Sequence, residues 1–97
     1  MTAGCVLCGE DSPQSVVPVA RRPKFRVVRV IDLPAYPAYY RVIWNDHVAE
    51  LSDLSDADRC LCMDAVVAVE RVMREHLNPT KINLAAFGTM VPHLHWH

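Results

Sequence analysis

Three imidazoles at alternate positions close the sequence, in His93-Leu94-His95-Trp96-His97. In a strand successive side chains face opposite ways, so His93, His95 and His97 share one side while Leu94 and Trp96 share the other. That alternation predicts a functional face backed by a core face. Imidazoles two residues apart would stand about 6.6–7 Å apart along the strand, near enough to act on one ligand and too far to bond one another. An unperturbed imidazole has a pKa of about 6.5 and is largely neutral at neutral pH, so a ring nitrogen can attack an electrophilic phosphorus. The other nitrogen must then be held as N–H by an acceptor, for which a buried backbone carbonyl suffices. His95, in the middle, is the candidate catalytic nucleophile. His93 and His97 flank it as groups that stabilise charge on phosphoryl oxygens or assist the leaving group. The competing reading is a purification remnant or a loose metal-binding tail; the interleaved Leu94 and Trp96 and the native-looking stretch at 83–92 weigh against it.

A second grouping lies at the other end. Cys5 and Cys8 have the Cys-x-x-Cys spacing that lets two thiolates from one turn bind a tetrahedral metal at about 2.3 Å each. Such a site needs two more ligands. The same pair also reads as two reduced thiols without metal, whereas a thioredoxin-like redox role would require a βαβ unit that the sequence does not offer. Cys60 and Cys62 fall in a predicted helix and do not share a face, Cys62 lying in its apolar stripe and Cys60 outside it. His76, near the end of that helix, reads as a surface residue that complements the helix dipole.

These groups must be carried by regular elements. Residues 5–13, with Gly9, Ser12 and Pro13, read as a knuckle followed by a polar loop that contributes nothing to a core. The β-branched run at 25–31 is bounded by Pro23 and Pro34 and predicts a strand, and a second follows at 39–44. The connection between them is too short for a parallel crossover, so the pair is antiparallel. A capping start at Ser55 and apolar residues at Cys62, Ala65, Val66, Val69, Val72, Met73 and Leu77 predict a helix from about Ser55 to Leu77, ended by Asn78-Pro79. Residues 81–86 and 91–97 read as two further strands. Strands, one long helix and strands again imply an α+β fold in a single domain over 1–97, an antiparallel sheet with the helix packed on one face.

Composition bounds the rest. With 97 residues, 52% apolar, the chain can build one core, but a chain this size buries only about two-thirds of its unfolded surface, so a metal or a partner subunit would add meaningfully to its stability. A net charge of -1 and a pI near 6.5 argue against gripping a nucleic-acid polymer. Arg21-Arg22-Pro23-Lys24 reads as a solvated loop. No run reaches the roughly 18 apolar residues of a membrane span, and residues 1–10 lack the basic-then-apolar order of a signal peptide. The expectation is a cytoplasmic protein with reduced cysteines and no membrane partner.

The closing segment resembles the signature of the histidine-triad (HIT) superfamily of nucleotide hydrolases and transferases. Cys5-x-x-Cys8, Tyr40-Arg41-Val42-Ile43-Trp44 leading into Asn45-Asp46-His47, the amphipathic helix and Lys81-Ile82-Asn83-Leu84 follow in the family's order, so the resemblance spans essentially the whole chain. It implies that His95 forms a covalent nucleotidyl intermediate that water then hydrolyses, acting at the α-phosphate of a dinucleoside polyphosphate or nucleoside phosphoramidate. It implies Asp32 at the ribose hydroxyls and Asn83 and Thr89 near the phosphates, although Asp32 and Thr89 are equally ordinary turn residues. In the bacterial members that the chain resembles, a structural zinc is completed by residues that map to His47 and His93, giving Cys5, Cys8, His47 and His93 as metal ligands and no organic cofactor. Homodimerisation is a further implication. Two departures stand out: Tyr39 replaces a further active-site histidine of many relatives, and relatives continue past the triad into a C-terminal segment. The alternative from another class is a non-catalytic nucleotide- or zinc-binding module.

Overall fold

The structure is a computed structural model and describes residues 5–9, 11–86 and 91–97. Four strands form one antiparallel sheet in chain order: β1 (Val16–Arg21), β2 (Phe25–Val30), β3 (Tyr40–Trp44) and β4 (His95–Trp96). A 3-10 turn (Leu51–Asp53) leads to one helix, α1 (Asp56–Leu77). The architecture is the expected α+β arrangement. Among the described residues no helix is long and apolar enough to cross a membrane.

Strand β1 was not foreseen, because Pro18 sits in its middle and cannot donate to a ladder. As the outer strand of the sheet it tolerates the proline, and the register with β2 slips between Pro18 and Ala20. Arg21 to Lys24 turn the chain into β2, closed by Arg22 N donating to Phe25 O at 2.9 Å. The side-chain amide of Asn45 donates to the carbonyls of Arg22 and Pro23, tying the end of β3 to this turn.

Helix α1 follows the predicted span closely. Ser55 is its N-cap, accepting from Asp58 N at 3.2 Å; Asp56 and Asp58 lie in the first turn, Arg74 and His76 in the last. These placements match the orphan amides and the helix dipole. Asn78 ends the helix in the left-handed region at φ 46, which Asn tolerates, and Pro79 follows. The buried face of α1 is Cys62, Ala65 and Val66, packed with Val27, Val42, Trp44, Leu94 and Leu54 on one side of the sheet. Coverage thins beyond it: Val69 and Met73 are partly buried, whereas Val72 and Leu77, expected in the apolar stripe, are about half exposed.

The opposite side of the sheet has its own core of Val16, Val28, Val30 and Ile43, roofed by Leu7 at 7% exposure. The N-terminal knuckle therefore does build core, against expectation. It is held down by Arg26, a buried arginine inside β2 that donates to the Leu7 carbonyl at 2.9 Å and pairs with Asp11 at 3.2 Å.

Two predicted strands are shorter than expected. Residues 81–86 form no strand; Ala85 alone exchanges backbone hydrogen bonds with His97, and a single bridged pair is not a ladder. Of residues 91–97 only His95 and Trp96 are strand. Pro92 has no N–H, and His93 N turns back to the Val91 carbonyl at 2.8 Å, so the segment bends until Leu94 N reaches Val48 O.

Candidate functional site

Strand β3 sets the histidines. Its register with β4 pairs Val42 with Trp96 and Ile43 with His95, and continuing it sets Arg41 opposite His97. Directly opposed residues of an antiparallel pair share a face. His95 thus lies on the Ile43 side and Trp96 on the helix side, as the alternation predicts. Leu94 also packs on the helix side, with Trp44, Leu54 and Cys62. Burial pushes the Cys62 thiol up, with Trp96 opposing, so it is a packed thiol rather than a reactive one.

His95 is buried, and its Nδ1 donates to the His93 backbone carbonyl at 2.6 Å. With Nδ1 carrying the hydrogen, Nε2 keeps its lone pair, the polarity that attack on phosphorus requires. His97 packs edge-on against the His95 ring with centroids 4.7 Å apart, closer than the strand rise suggested, because the side chains lean together. Its Nδ1 bonds the Tyr39 hydroxyl, and the two rings are also in edge contact. Burial, the His95 charge and the Arg41 guanidinium push His97 down to about 4, so it is neutral at neutral pH.

His93 takes another direction. It is 1% exposed, and its Nε2 donates to the Trp44 carbonyl at 2.5 Å. Its Nδ1 lies 3.4 Å from Cys5 Sγ, 3.2 Å from Cys8 Sγ and 3.2 Å from His47 Nδ1, while Cys8 Sγ lies 3.1 Å from His47 Nδ1. All four ligand atoms are within 4.8 Å of one another. Tetrahedral zinc would give edges of about 3.6 Å between sulfur and nitrogen and about 3.3 Å between two nitrogens. The nitrogen–nitrogen separation is close to that edge and the sulfur–nitrogen separations are a few tenths of an ångström shorter, and the Trp44 carbonyl fixes the tautomer that turns the Nδ1 lone pair inward, as acceptors behind metal-binding histidines do. Burial pushes the His93 imidazole below its ordinary value, against the pull of the Trp44 bond, and the charges of His47, Arg26 and His95 push the same way. Cys5, Cys8, His47 and His93 could hold a metal ion. Both His93 nitrogens are then engaged away from His95: the side chain expected both as a flanking catalytic imidazole and as a metal ligand faces the cluster, and the backbone carbonyl accepts from the neighbouring imidazole.

The remaining expected residues are more scattered. Asp32 is exposed in the β2–β3 connection, and Asn83 lines an open groove of about 850 Å³ together with His97, Tyr39, Val42, Val66 and Trp96. Thr89 lies outside the described residues. Arg41 was not singled out from the sequence, yet it stands on the imidazole face with its guanidinium carbon 5.5 Å from the Tyr39 ring centre. The available signal was a charged residue inside a strand whose same-face neighbours are Tyr39 and Ile43.

With this geometry in hand, comparison with known proteins is direct. The HIT domain profile matches residues 13–97. A histidine triad protein from Bradyrhizobium japonicum has a similar solved structure, with a TM-score of 0.75 and 25% sequence identity over 86% of this chain. The chain spans 61% of the length of that protein. No curated protein matches. The family profile, the shared fold and the bracketing of His95 between His93 and His97 converge: the chain belongs to the HIT family.

Proposed function

We propose that the chain is a nucleotide hydrolase or transferase that acts at the α-phosphate of a dinucleoside polyphosphate or nucleoside phosphoramidate through a nucleotidyl intermediate on His95. The observation that carries this reading is the 2.6 Å bond from His95 Nδ1 to the His93 carbonyl, which leaves Nε2 as the nucleophilic nitrogen. In the proposed sequence Nε2 bonds to phosphorus as the leaving group departs with its electron pair. Water then attacks the same phosphorus and the P–N bond breaks, returning the pair to Nε2. His97, neutral and anchored by Tyr39, is placed beside this ring to donate a hydrogen bond to a phosphoryl oxygen or to the leaving group. Asn83, on the groove that His97 also lines, is the nearer of the proposed nucleotide contacts; Asp32 and Thr89 complete the set as ribose and phosphate contacts.

Zinc is the proposed metal of the four-residue cluster, held by Cys5, Cys8, His47 and His93 in a structural role. When bound it supplies a cross-link between the N-terminal turn, the segment after β3 and the triad. The chain is further proposed to act as a homodimer in the cytoplasm. Half-exposed Val72 and Leu77 beside the apolar groove supply surface that association would cover; light scattering at micromolar concentration should give twice the chain mass, and a monomer at all concentrations would refute this.

The test of the chemistry is intact mass at neutral to mildly basic pH after rapid mixing with a diadenosine polyphosphate, run beside His95→Ala. The expected result is an adenylyl-sized adduct in the parent and none in the variant. Nucleotide binding without turnover in either protein would instead favour a non-catalytic module.

A further inference from the structure

Two arginines lie inside the sheet on the imidazole side, and they are treated differently. Arg26 is neutralised by Asp11 and its guanidinium also donates to the Leu7 carbonyl. Arg41 has no such partner: its Nε is buried without a hydrogen bond, and among the described residues no carboxylate pairs with it. An arginine N–H withdrawn from water without an acceptor is costly unless a ligand oxygen completes it.

Its location gives that oxygen an address. The β3–β4 register sets Arg41 opposite His97, one residue pair along from Ile43 and His95, on the same face. The Tyr39 ring, 5.5 Å from the guanidinium carbon, supports the cation from the side while the Tyr39 hydroxyl holds His97. One tyrosine thus positions both groups. Closeness of the charge to the triad is also felt by His97, whose protonation Arg41 opposes. With His97 neutral and Arg26 paired, Arg41 is the permanent uncompensated positive charge on this part of the face among the described residues.

We propose that Arg41 is a substrate-binding residue whose guanidinium takes the oxygens of a phosphoryl group lying against His95 and His97. Resting on the nucleotide reading above for the rest of the ligand, it makes the phosphate, more than the base, the part of the substrate that this chain selects. The planar fork of arginine suits two oxygens of one phosphoryl group, which a lysine ammonium cannot match.

Isothermal titration of the full chain with AMP, adenosine and inorganic pyrophosphate tests this in the parent, Arg41→Gln and Arg41→Lys, each checked by its thermal melt. The expected result is AMP and pyrophosphate affinities about 10- to 100-fold weaker in Arg41→Gln, with Arg41→Lys between it and the parent. Adenosine affinity should be the same in all three. If AMP weakens only in parallel with adenosine, or if AMP and pyrophosphate bind Arg41→Gln as they bind the parent, the proposal is overturned. Arg41-dependent binding of pyrophosphate with no affinity for either adenosine compound would support Arg41 as the phosphoryl site and sink the nucleotide reading instead. Should Arg41→Gln fail to fold, the Arg41→Lys comparison decides alone, equal AMP affinity in it and the parent overturning the role of the fork.

Discussion

At His95 the group that decides which nitrogen keeps its lone pair is the carbonyl two residues back, and at His97 the ring's partner is a phenol. The phenol is Tyr39, whose hydroxyl bonds His97 Nδ1. Removing the hydroxyl in Tyr39→Phe deletes this bond to His97 and strips one side of Arg41 of its hydroxylated neighbour while keeping the aromatic face. Turnover of a dinucleoside polyphosphate is expected to fall about 5- to 10-fold, the worth of one neutral hydrogen bond, with the melt nearly unchanged; full activity in steady-state assays would show that the bond is idle. A pH dependence follows from His93 and His97, both held below the ordinary imidazole value, His97 at about 4. Between about 6.5 and 4 the unfolded chain binds protons that the folded chain refuses, so stability is complete above that window and is lost as pH falls through it. Melting in the presence of a chelator at pH 7.5 and pH 5.0 should show the lower temperature at pH 5.0; equal values would mean that the burial of these rings costs nothing.

The elements differ in how openly the sequence announced them. Helix α1 was legible to within a residue because local signals agree: Ser55 as cap, acids in the first turn, and a stop at Asn78-Pro79. Ser55→Ala should lower stability by about 1 kcal/mol, read from chemical denaturation; no change would show that the cap is replaced by water. Strand β1 stayed hidden because Pro18 is forbidden in an inner strand and allowed at an edge, and edge position is a property of the sheet rather than of the segment. Residues 81–86 failed in the other direction, having strand-like alternation but only one bridged pair, at Ala85 and His97. The cysteine-histidine cluster was legible only through family resemblance, since Cys5 and His93 are 88 residues apart. Arg41 was passed over because an arginine in a strand usually means an outward face, and here that face is the one that carries His95 and His97.

For the molecule as a whole, two thin cores on opposite sides of one sheet are closed by different devices, a helix on one side and a tethered N-terminal turn on the other. The turn buries little besides Leu7 and is pinned by Arg26, Asp11 and the cysteine-histidine cluster. If zinc completes that cluster, the purified protein should carry about one equivalent by elemental analysis. Chelation or Cys5→Ser should lower the melting temperature by about 10 °C or more, since structural zinc contributes folding free energy directly. A melt insensitive to both would leave the four side chains as a thiol-imidazole contact without metal.

His93 divides its loyalties between its side chain, which belongs to that cluster, and its carbonyl, which belongs to His95. Every residue type retains the carbonyl, so replacing His93 deletes the first connection and cannot delete the second. A mutational scan across the triad would therefore score position 93 as an anchor and remain blind to its other half; only backbone chemistry, such as an ester in place of the neighbouring amide, would weaken that acceptor and expose it.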